Sequence, residues 1–342
     1  MELRTEVLRD PGALEETDAA WRDLWARAPR RVVFLHPLWA RCWWRHYGQE
    51  MELFLVLVWD QEDRLAGLAP LCRARANEGS FGWIGGQELS DILDFLIAPG
   101  LEAPVMTAME RVLRRILGPR GELDLHFVPQ ESHTLEEVNE MLLDGWDVRI
   151  ELEEFSPWVS LPGSWEDFLG RLSGHHRHEI RRKMGKAQRE LAVSFRVVED
   201  ESLWSRAMEH FFRLHRLSQP QKAAFMDERR EAFFLEAARL FWQEGVLRLT
   251  ELLLQDGAPI ASALCFVQGD TWALYNSGFD PGYRQYSPGI VHVAHTIRRA
   301  IEENLGVYDF LRGREIYKYD FGAWDRQLFR VRLSPRAREG AR

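Results

Sequence analysis

The sequence has little of what marks several specialised protein classes. Its 342 residues include three cysteines, Cys42, Cys72 and Cys265, which are far apart and lie in apolar neighbourhoods. Such cysteines favour buried thiols over a disulfide framework or a zinc site. The longest apolar runs, such as 53–59, are strand-sized and far shorter than the ~20 residues of a membrane helix. We therefore expect no disulfide framework, no metal site and no membrane insertion.

Signals for export and for two common chemistries are also missing. Residues 1–10 include acidic side chains and no continuous apolar region, which argues against a secretory signal. A cytoplasmic location is the expectation that follows. The sequence contains no Walker loop and no nucleophile elbow, so phosphoryl transfer and covalent catalysis have no support.

Positive charge is in the minority, with 44 basic against 53 acidic side chains and a net charge of −9. This balance argues against a protein whose whole surface binds nucleic acid or anionic lipid. The helix predicted over 175–191 is an exception, because it is strongly basic. One interpretation is a solvated helix face, and the other is a patch that binds coenzyme A, a polyanionic acceptor or tRNA.

Length and composition predict two folded lobes. Hydrophobic residues make up 46% of the chain and charged residues 28%, as in ordinary globular proteins. The chain exceeds the usual size of one domain, and we place the boundary near Phe155, with lobes at 1–155 and 156–342. Strand and helix patterns alternate, so the expected fold class is α/β, with mixed central sheets flanked by helices.

The second lobe contains the most regular pattern. Strand-like runs over 246–254, 259–268 and 271–279 are separated by Asp-Gly and Gly-Asp pairs that suit tight hairpin turns. A helical pattern over 289–304 and a buried strand over 307–311 follow. The order predicts an antiparallel meander followed by a βαβ unit.

The loop before that helix is a candidate phosphate site. Its sequence, Tyr-Arg-Gln-Tyr-Ser-Pro-Gly over 283–289, stands where a helix begins. Backbone N–H groups and the helix dipole favour an anion there, and Arg284 would add a charge-assisted contact. The alternative is ordinary capping, with Ser287 as the cap and Pro288 in the first turn.

Three motifs resemble one family. They are Tyr-Asn-Ser-Gly-Phe-Asp over 275–280, Ser-Pro-Gly over 287–289, and Asp-Phe-Leu-Arg-Gly-Arg-Glu-Ile-Tyr-Lys over 309–318. Together they make 156–333 similar to GNAT-related acyltransferases of the CelD-like group. That family resembles a tandem pair of GNAT-like lobes, similar to the Fem peptidyltransferases that use aminoacyl-tRNA. The N-terminal lobe is then a degenerate copy.

The resemblance implies an acyl-CoA co-substrate, such as acetyl-CoA. Ser277 and Gly278 would leave backbone groups free for the pantetheine arm. The pyrophosphate would lie on the loop, which has one glycine where the better-known GNAT signature has two; the loop residues assigned to it are Arg284, Gln285, Tyr286, Ser287 and Gly289.

The acceptor expected from this resemblance is an amine on a small molecule, sugar or peptide. Its attack requires a base, and the leaving thiolate requires an acid. The candidates are Glu315 or Asp309 as the base, acting directly or through water, Tyr317 as the proton donor to sulfur, and Lys318 as an anchor for an acidic substrate group or a phosphate. Two alternatives stay open: a Fem-like transferase that uses charged tRNA, and a non-catalytic binding module.

Overall fold

The computed structural model describes residues 3–77, 79–141 and 145–336. The strands are β1 (Arg4–Leu8), β2 (Met51–Trp59), β3 (Leu65–Ala74), β4 (Ser80–Trp83), β5 (Leu96–Ile97), β6 (Glu122–Pro129), β7 (Trp146–Ser160), β8 (Ser194–Val197), β9 (Leu247–Leu253), β10 (Pro259–Gln268), β11 (Thr271–Phe279), β12 (Val307–Asp309) and β13 (Trp324–Pro335).

The helices are α1 (Ala13–Glu16), α2 (Asp18–Arg27), α3 (Pro37–Tyr47), α4 (Glu102–Leu117), α5 (His133–Met141), α6 (Trp165–Arg171), α7 (Gly174–Leu191), α8 (Glu201–Ser218), α9 (Pro220–Phe225), α10 (Glu228–Gln243), α11 (Pro288–Glu302) and α12 (Ile316–Asp320). Short 3₁₀ turns occupy Val33–Leu35, Gly48–Glu50 and Pro281–Tyr286.

The chain divides into two compact units. Unit 1 contains the chain up to Phe155 and again from Arg326, and unit 2 contains Ser156–Asp325. The predicted second lobe, 156–342, is therefore wrong at its C-terminal end, because β13 pairs with β6 of unit 1. Residues 337–342 of that predicted lobe lie outside the described residues.

Unit 1 is built on a mixed sheet with the strand order β1-β2-β3-β4-β6-β13-β7. β2 and β3 are antiparallel and β4 and β6 are parallel. The run Leu53–Val58 is buried at every position, so both faces of β2 are covered. On α4, Val105, Met109 and Val112 are buried, which is the i, i+4, i+7 stripe of a helix packed on a sheet.

A partly buried charge network lies on the sheet of unit 1. His126 Nδ1 lies 2.5 Å from Glu153 Oε1, and its Nε2 lies 3.7 Å from an Asp124 oxygen. Arg330 donates to both oxygens of the Asp124 carboxylate. Burial lowers the pKa of His126, but the hydrogen bonds and charges of Asp124 and Glu153 outweigh burial and raise it to about 9.

This raised pKa predicts a pH-dependent stability. Because the pKa of His126 is higher in the folded state than its ordinary 6.5, the stabilisation is complete below pH ~6.5 and is lost as pH rises through ~9. We expect the free energy of unfolding to fall by about 1–3 kcal/mol over this interval. In His126→Gln the fall should disappear. Denaturant unfolding at several pH values measures this fall. If stability falls equally in the wild type and in His126→Gln, His126 is not its cause.

Unit 2 is also built on a mixed sheet, with the order β7-β12-β11-β10-β9-β8. β9, β10 and β11 form the predicted antiparallel meander, and β12 adds parallel to β11. The strand β7 takes part through its end, where residues 158–160 pair with β12. Mixed sheets flanked by helices confirm the predicted α/β class.

The helices of unit 2 follow local signals in the sequence. The Ser164 side chain accepts the backbone N–H of Asp167 and begins α6, as an N-cap does. Val291, Ala294 and Ile297 are buried on α11, which places its apolar stripe against the sheet. Ala294 and Ile297 belong to the core cluster that also contains Trp272 and Tyr308, and Val291 belongs to a second cluster with Leu252 and Ile260.

The described residues were compared with what a membrane span, a disulfide or a metal site would need. No helix in the described ranges is long and apolar enough to cross a membrane. Cys42, Cys72 and Cys265 are all buried thiols. Within the same ranges, no group of three or more His, Cys, Asp or Glu side chains is placed to hold a metal ion.

Candidate active site

A gap opens in the sheet of unit 2 where β11 and β12 part. The two strands pair only from Thr271 to Ala273. β11 then continues to Phe279, whereas β12 ends at Asp309. A register shift in the β10/β11 ladder places Leu264 opposite Asn276 and Cys265 opposite Leu274, so β11 bulges at this level. One edge of residues 274–279 thus lacks a strand partner among the described residues.

The side chain of Lys222 reaches this open edge. Lys222 lies on α9, and its Nζ donates a hydrogen bond of 2.5 Å to the carbonyl oxygen of Ser277. Burial lowers the pKa of Lys222; Lys318 lowers it further, and Glu315 opposes the shift. The Lys222 ammonium, bound to the edge of β11, is thus close enough to Glu315 and Lys318 for their charges to act on it. These predicted residues are about 40 positions from Ser277 in the sequence.

The chain after β12 forms a tight turn that is organised by Lys318. Its ammonium donates to the carbonyl oxygens of Leu311, Arg312 and Gly313 at 3.2, 3.0 and 2.9 Å. It also pairs with Glu315 at 2.9 Å, and the side chain is only 3% exposed. In this arrangement Lys318 binds its own loop, whereas the sequence predicted that it would anchor an acidic substrate group.

Asp309 shapes the same turn. Its Oδ1 accepts the Leu311 backbone N–H at 2.8 Å and the Ser156 hydroxyl at 3.2 Å. Leu311 has a positive φ of 55°, a conformation that costs free energy for a branched residue and needs such support. The carboxylate of Asp309 is buried, and its two hydrogen bonds stabilise the turn.

Glu315 and Tyr317 are the groups of the motif that are available for proton transfer. The Glu315 side chain is 58% exposed and is held by Lys318. Gly313 has φ 108°, and a Cβ there would meet the Glu315 carboxylate at 2.8 Å, so glycine makes room for that group. Burial raises the pKa of Tyr317, and the Glu315 carboxylate raises it further. The Tyr317 phenol therefore stays protonated across neutral pH.

Gly278 has a packing role that the sequence did not predict. A Cβ at this position would lie 2.3 Å from the backbone N of His215 on α8. Gly278 thus allows the helix to touch the strand, instead of leaving that face open. His215 is buried there, and its pKa falls to about 4 because of burial and the Lys222 charge, against a hydrogen bond that its ring donates to Asn276.

The predicted phosphate loop ends at the N-terminus of α11. Pro288 fills the first helical position, as predicted, but Ser287 adopts a left-handed conformation with φ 51° and makes no side-chain cap bond. Ser287 therefore stands at the N-cap position that the alternative interpretation predicted, where its carbonyl oxygen accepts the Val291 N–H but its hydroxyl caps no backbone group. The first-turn amides of Gly289 and Ile290 have no partner within the helix. Arg284 and Gln285 are exposed in the 3₁₀ turn before it.

The basic helix α7 connects the two halves of this region. Lys186 donates to the carbonyl oxygen of Gln285 and lies 4.9 Å from the centre of the Tyr286 ring. Ten residues earlier, His176 lies 3.6 Å from Asp320 at the end of α12. Ten helical residues span roughly 15 Å. The phosphate loop and the 315–320 segment are therefore separated by a distance on that order.

The family comparison matches this half of the chain. Residues 174–319 match the family described as acetyltransferase (GNAT) domain. Residues 174–319 are therefore similar to a GNAT domain, and this region is called the GNAT domain below. The matched range includes the basic helix, the meander, the phosphate loop and the Lys222, Glu315 and Tyr317 side chains. A search of curated proteins gave no significant match.

Solved structures extend the likeness beyond the GNAT domain. FemX aligns with a TM-score of 0.68 at 10% identity, over 98% of this chain and 97% of its own. L-PGS from Bacillus licheniformis aligns with a TM-score of 0.60 at 9% identity, over 97% and 94%. A C-terminal domain of a putative lysylphosphatidylglycerol synthetase from Agrobacterium fabrum gives 0.58 at 10%, over 94% and 92%. At these low identities, the TM-scores show a shared fold and nothing more. The predicted Fem-like fold is confirmed.

Two residues of the GNAT domain were missed by sequence reasoning. Lys222 stands in the short polar stretch Pro-Gln-Lys between two longer helices, and nothing in that stretch distinguishes it from a solvated lysine. His215 lies on the apolar side of α8, where a histidine usually packs. Pro220 is the only signal in this stretch, because it predicts the break between α8 and α9. It does not predict that the Lys222 ammonium lies at the edge of β11.

Proposed function

We propose that the GNAT domain transfers an acyl group from a coenzyme A thioester to an amine. The observation that supports this most strongly is the edge of β11 over 274–279, which has no strand partner among the described residues and where Lys222 donates to the Ser277 carbonyl. A strand edge without a partner offers backbone groups to an extended ligand. The amide-containing pantetheine arm has the shape and hydrogen-bonding groups to add to it.

Distances along α7 support this orientation of the donor. The pyrophosphate would bind at Gly289 and Ile290 with Arg284 beside it, and the thioester would lie near Tyr317. The pantetheine arm has about thirteen bonds between phosphorus and sulfur, or roughly 16 Å when extended. This length is close to the separation of roughly 15 Å along the basic helix. Ser277, Gln285, Tyr286 and Ser287 complete the proposed donor site.

In the transfer step, the neutral amine attacks the thioester carbonyl carbon and forms the new C–N bond. The C–S bond then breaks and releases coenzyme A. Glu315 takes the amine proton, directly or through one water, and Tyr317 gives its proton to the leaving sulfur. Lys222 stabilises the negative charge that develops on the carbonyl oxygen. Asp309 and Lys318 act by holding the turn that carries Glu315.

A thiol-release assay tests the donor and acceptor together. The purified protein is given acetyl-CoA or longer acyl-CoAs with a panel of amines, and free coenzyme A is measured. We expect amine-dependent release, reduced at least about tenfold in kcat/KM by Arg284→Ala. Arg298→Ala is the matched control, since Arg298 is an exposed arginine on α11 that pairs with Glu302. Absence of release with every donor and amine would instead favour a non-catalytic module.

A second candidate is transfer from aminoacyl-tRNA. The basic helix favours it, because α7 touches the phosphate loop through Lys186 and exposes His175, His178 and Arg189. Arg181 and Arg182 are less available, since they pair with Glu166 and Glu179. The fold shared with FemX is compatible with this donor.

The salt dependence of tRNA binding distinguishes the two donors. If α7 binds the tRNA backbone through several phosphates, affinity should fall about tenfold or more between ~50 and ~200 mM salt. Arg189→Gln should weaken binding and reduce that slope. Weak tRNA binding with a flat salt response would remove this candidate and leave the acyl-CoA reaction untouched.

A further inference from the structure

Unit 1 contains a cavity of about 220 Å³. The stretches 28–35, 92–97 and 129–134 line it, together with Glu102. One buried water needs only ~15 Å³ of such space, and drug-sized ligands fill ~300–1,000 Å³. The volume therefore suits a small organic molecule.

Much of the cavity wall is apolar. Val32, Leu35, Ile92, Phe95 and Leu96 line it and are buried members of the core of unit 1. A wall of this kind favours methylene groups over water. The ligand should therefore carry a short hydrocarbon chain.

The polar part of the wall is centred on Asp94. Its Oδ1 accepts the Thr134 hydroxyl at 2.5 Å and the Phe95 backbone N–H at 2.9 Å. Burial raises the pKa of Asp94 to about 6, against the hydrogen bonds from Ser132, Thr134 and Phe95 and the charge of Arg30. At neutral pH the carboxylate is therefore mostly ionised and fixed in orientation.

The other charges in the cavity leave an excess of negative charge. Glu131 pairs with Arg30 and also with Arg326 at 2.8 Å. Glu102 accepts the Gly100 backbone N–H and lies 3.8 Å from His133. The lining thus contains three carboxylates, Asp94, Glu102 and Glu131, and the Arg30 guanidinium, so a cation is the complementary ligand.

We propose that this cavity binds a small aliphatic amine, with its ammonium on Asp94 and its carbon chain on the apolar wall. The site lies within unit 1, whereas the candidate active site lies within unit 2, so the inference does not depend on the proposed transfer reaction. Binding is measured without any acyl donor.

Calorimetric titration of the full chain with n-butylamine, 1-butanol and butyrate tests the inference. We expect the amine to bind at least about tenfold more tightly than the alcohol, and butyrate to give no binding. Asp94→Asn should weaken the amine at least about tenfold, and Glu16→Gln, an exposed carboxylate of unit 1, should leave affinity within about twofold. Equal binding of amine and alcohol, or unchanged affinity in Asp94→Asn, would overturn the proposal.

The pH profile gives an independent readout. The groups that face Asp94 or share its cavity are Arg30, Glu102, Glu131, Ser132, His133 and Thr134. Because Asp94 loses its charge on protonation, amine affinity should fall about tenfold from pH ~7 to pH ~5, and Asp94→Asn reports what the other groups contribute. If Asp94→Asn does not fold, Thr134→Val takes its place, and the three ligands are still compared on the wild-type chain. No binding of the amine to the wild type refutes the site.

Discussion

Replacing Glu315 with glutamine should lower kcat for acyl transfer by about 10²–10⁴-fold, which is the usual contribution of a positioned base. Glutamine keeps the size of the side chain and a carbonyl oxygen for the Lys318 ammonium, which lies 2.9 Å away. It cannot accept the proton of the attacking amine. Single-turnover kinetics with saturating acyl-CoA and amine would measure the loss at the chemical step.

Glu302→Gln is the matched control for this variant. Glu302 is 53% exposed and ion-paired with Arg298, so its environment is close to that of Glu315, with 58% exposure and a lysine partner. We expect its kcat to stay within about twofold of the wild type. Equal rates in Glu315→Gln and Glu302→Gln would assign the base to another residue.

Replacing Gly278 with alanine should produce the largest loss of stability in unit 2. The added Cβ would lie 2.3 and 2.4 Å from the N and Cα of His215. Both are backbone atoms in the last turn of α8, so the contact is relieved only if helix and strand separate. We expect the free energy of unfolding to fall by about 3 kcal/mol or more, measured by urea denaturation.

Gly170→Ala serves as the comparison for Gly278→Ala. Gly170 lies on α6, and a Cβ there meets no atom within 4 Å. Since alanine favours helix over glycine by up to about 1 kcal/mol, this variant should be as stable as the wild type or slightly more stable. A loss of similar size in both variants would show that the contact between α8 and β11 is not the cause.

Much of the fold of unit 2 was predictable because its signals are local. The strands predicted over 246–254, 259–268 and 271–279 are observed as β9, β10 and β11 with nearly the same bounds. Asp-Gly and Gly-Asp pairs mark the turns between them, and such pairs act through the backbone freedom of glycine at the turn itself.

The predictions that failed depend on partners far away in the sequence. The return of the chain to unit 1 depends on pairing of Arg332 with Asp124, more than 200 residues earlier. The close contact of Gly278 depends on α8, about 60 residues earlier. Register and helix docking of this kind leave no periodic pattern in either segment, so the sequence alone did not predict that Gly278 packs against α8.

Lys318 shows the same limit for a candidate site residue. Its position in the motif was predicted, but its partners are three carbonyl oxygens of its own loop. Whether a lysine binds a ligand or a loop depends on the path of the backbone around it. The positive φ of Leu311 and Gly313 determines that path. A glycine in the sequence suggests such a conformation, whereas a leucine does not.

Hydrogen exchange with and without coenzyme A shows where the donor binds. We expect slower exchange of backbone amides in two places when coenzyme A is added. These are the free edge of β11 at 274–279 and the start of α11 at 289–291. Unchanged exchange in both segments at saturating coenzyme A would contradict the proposed donor site.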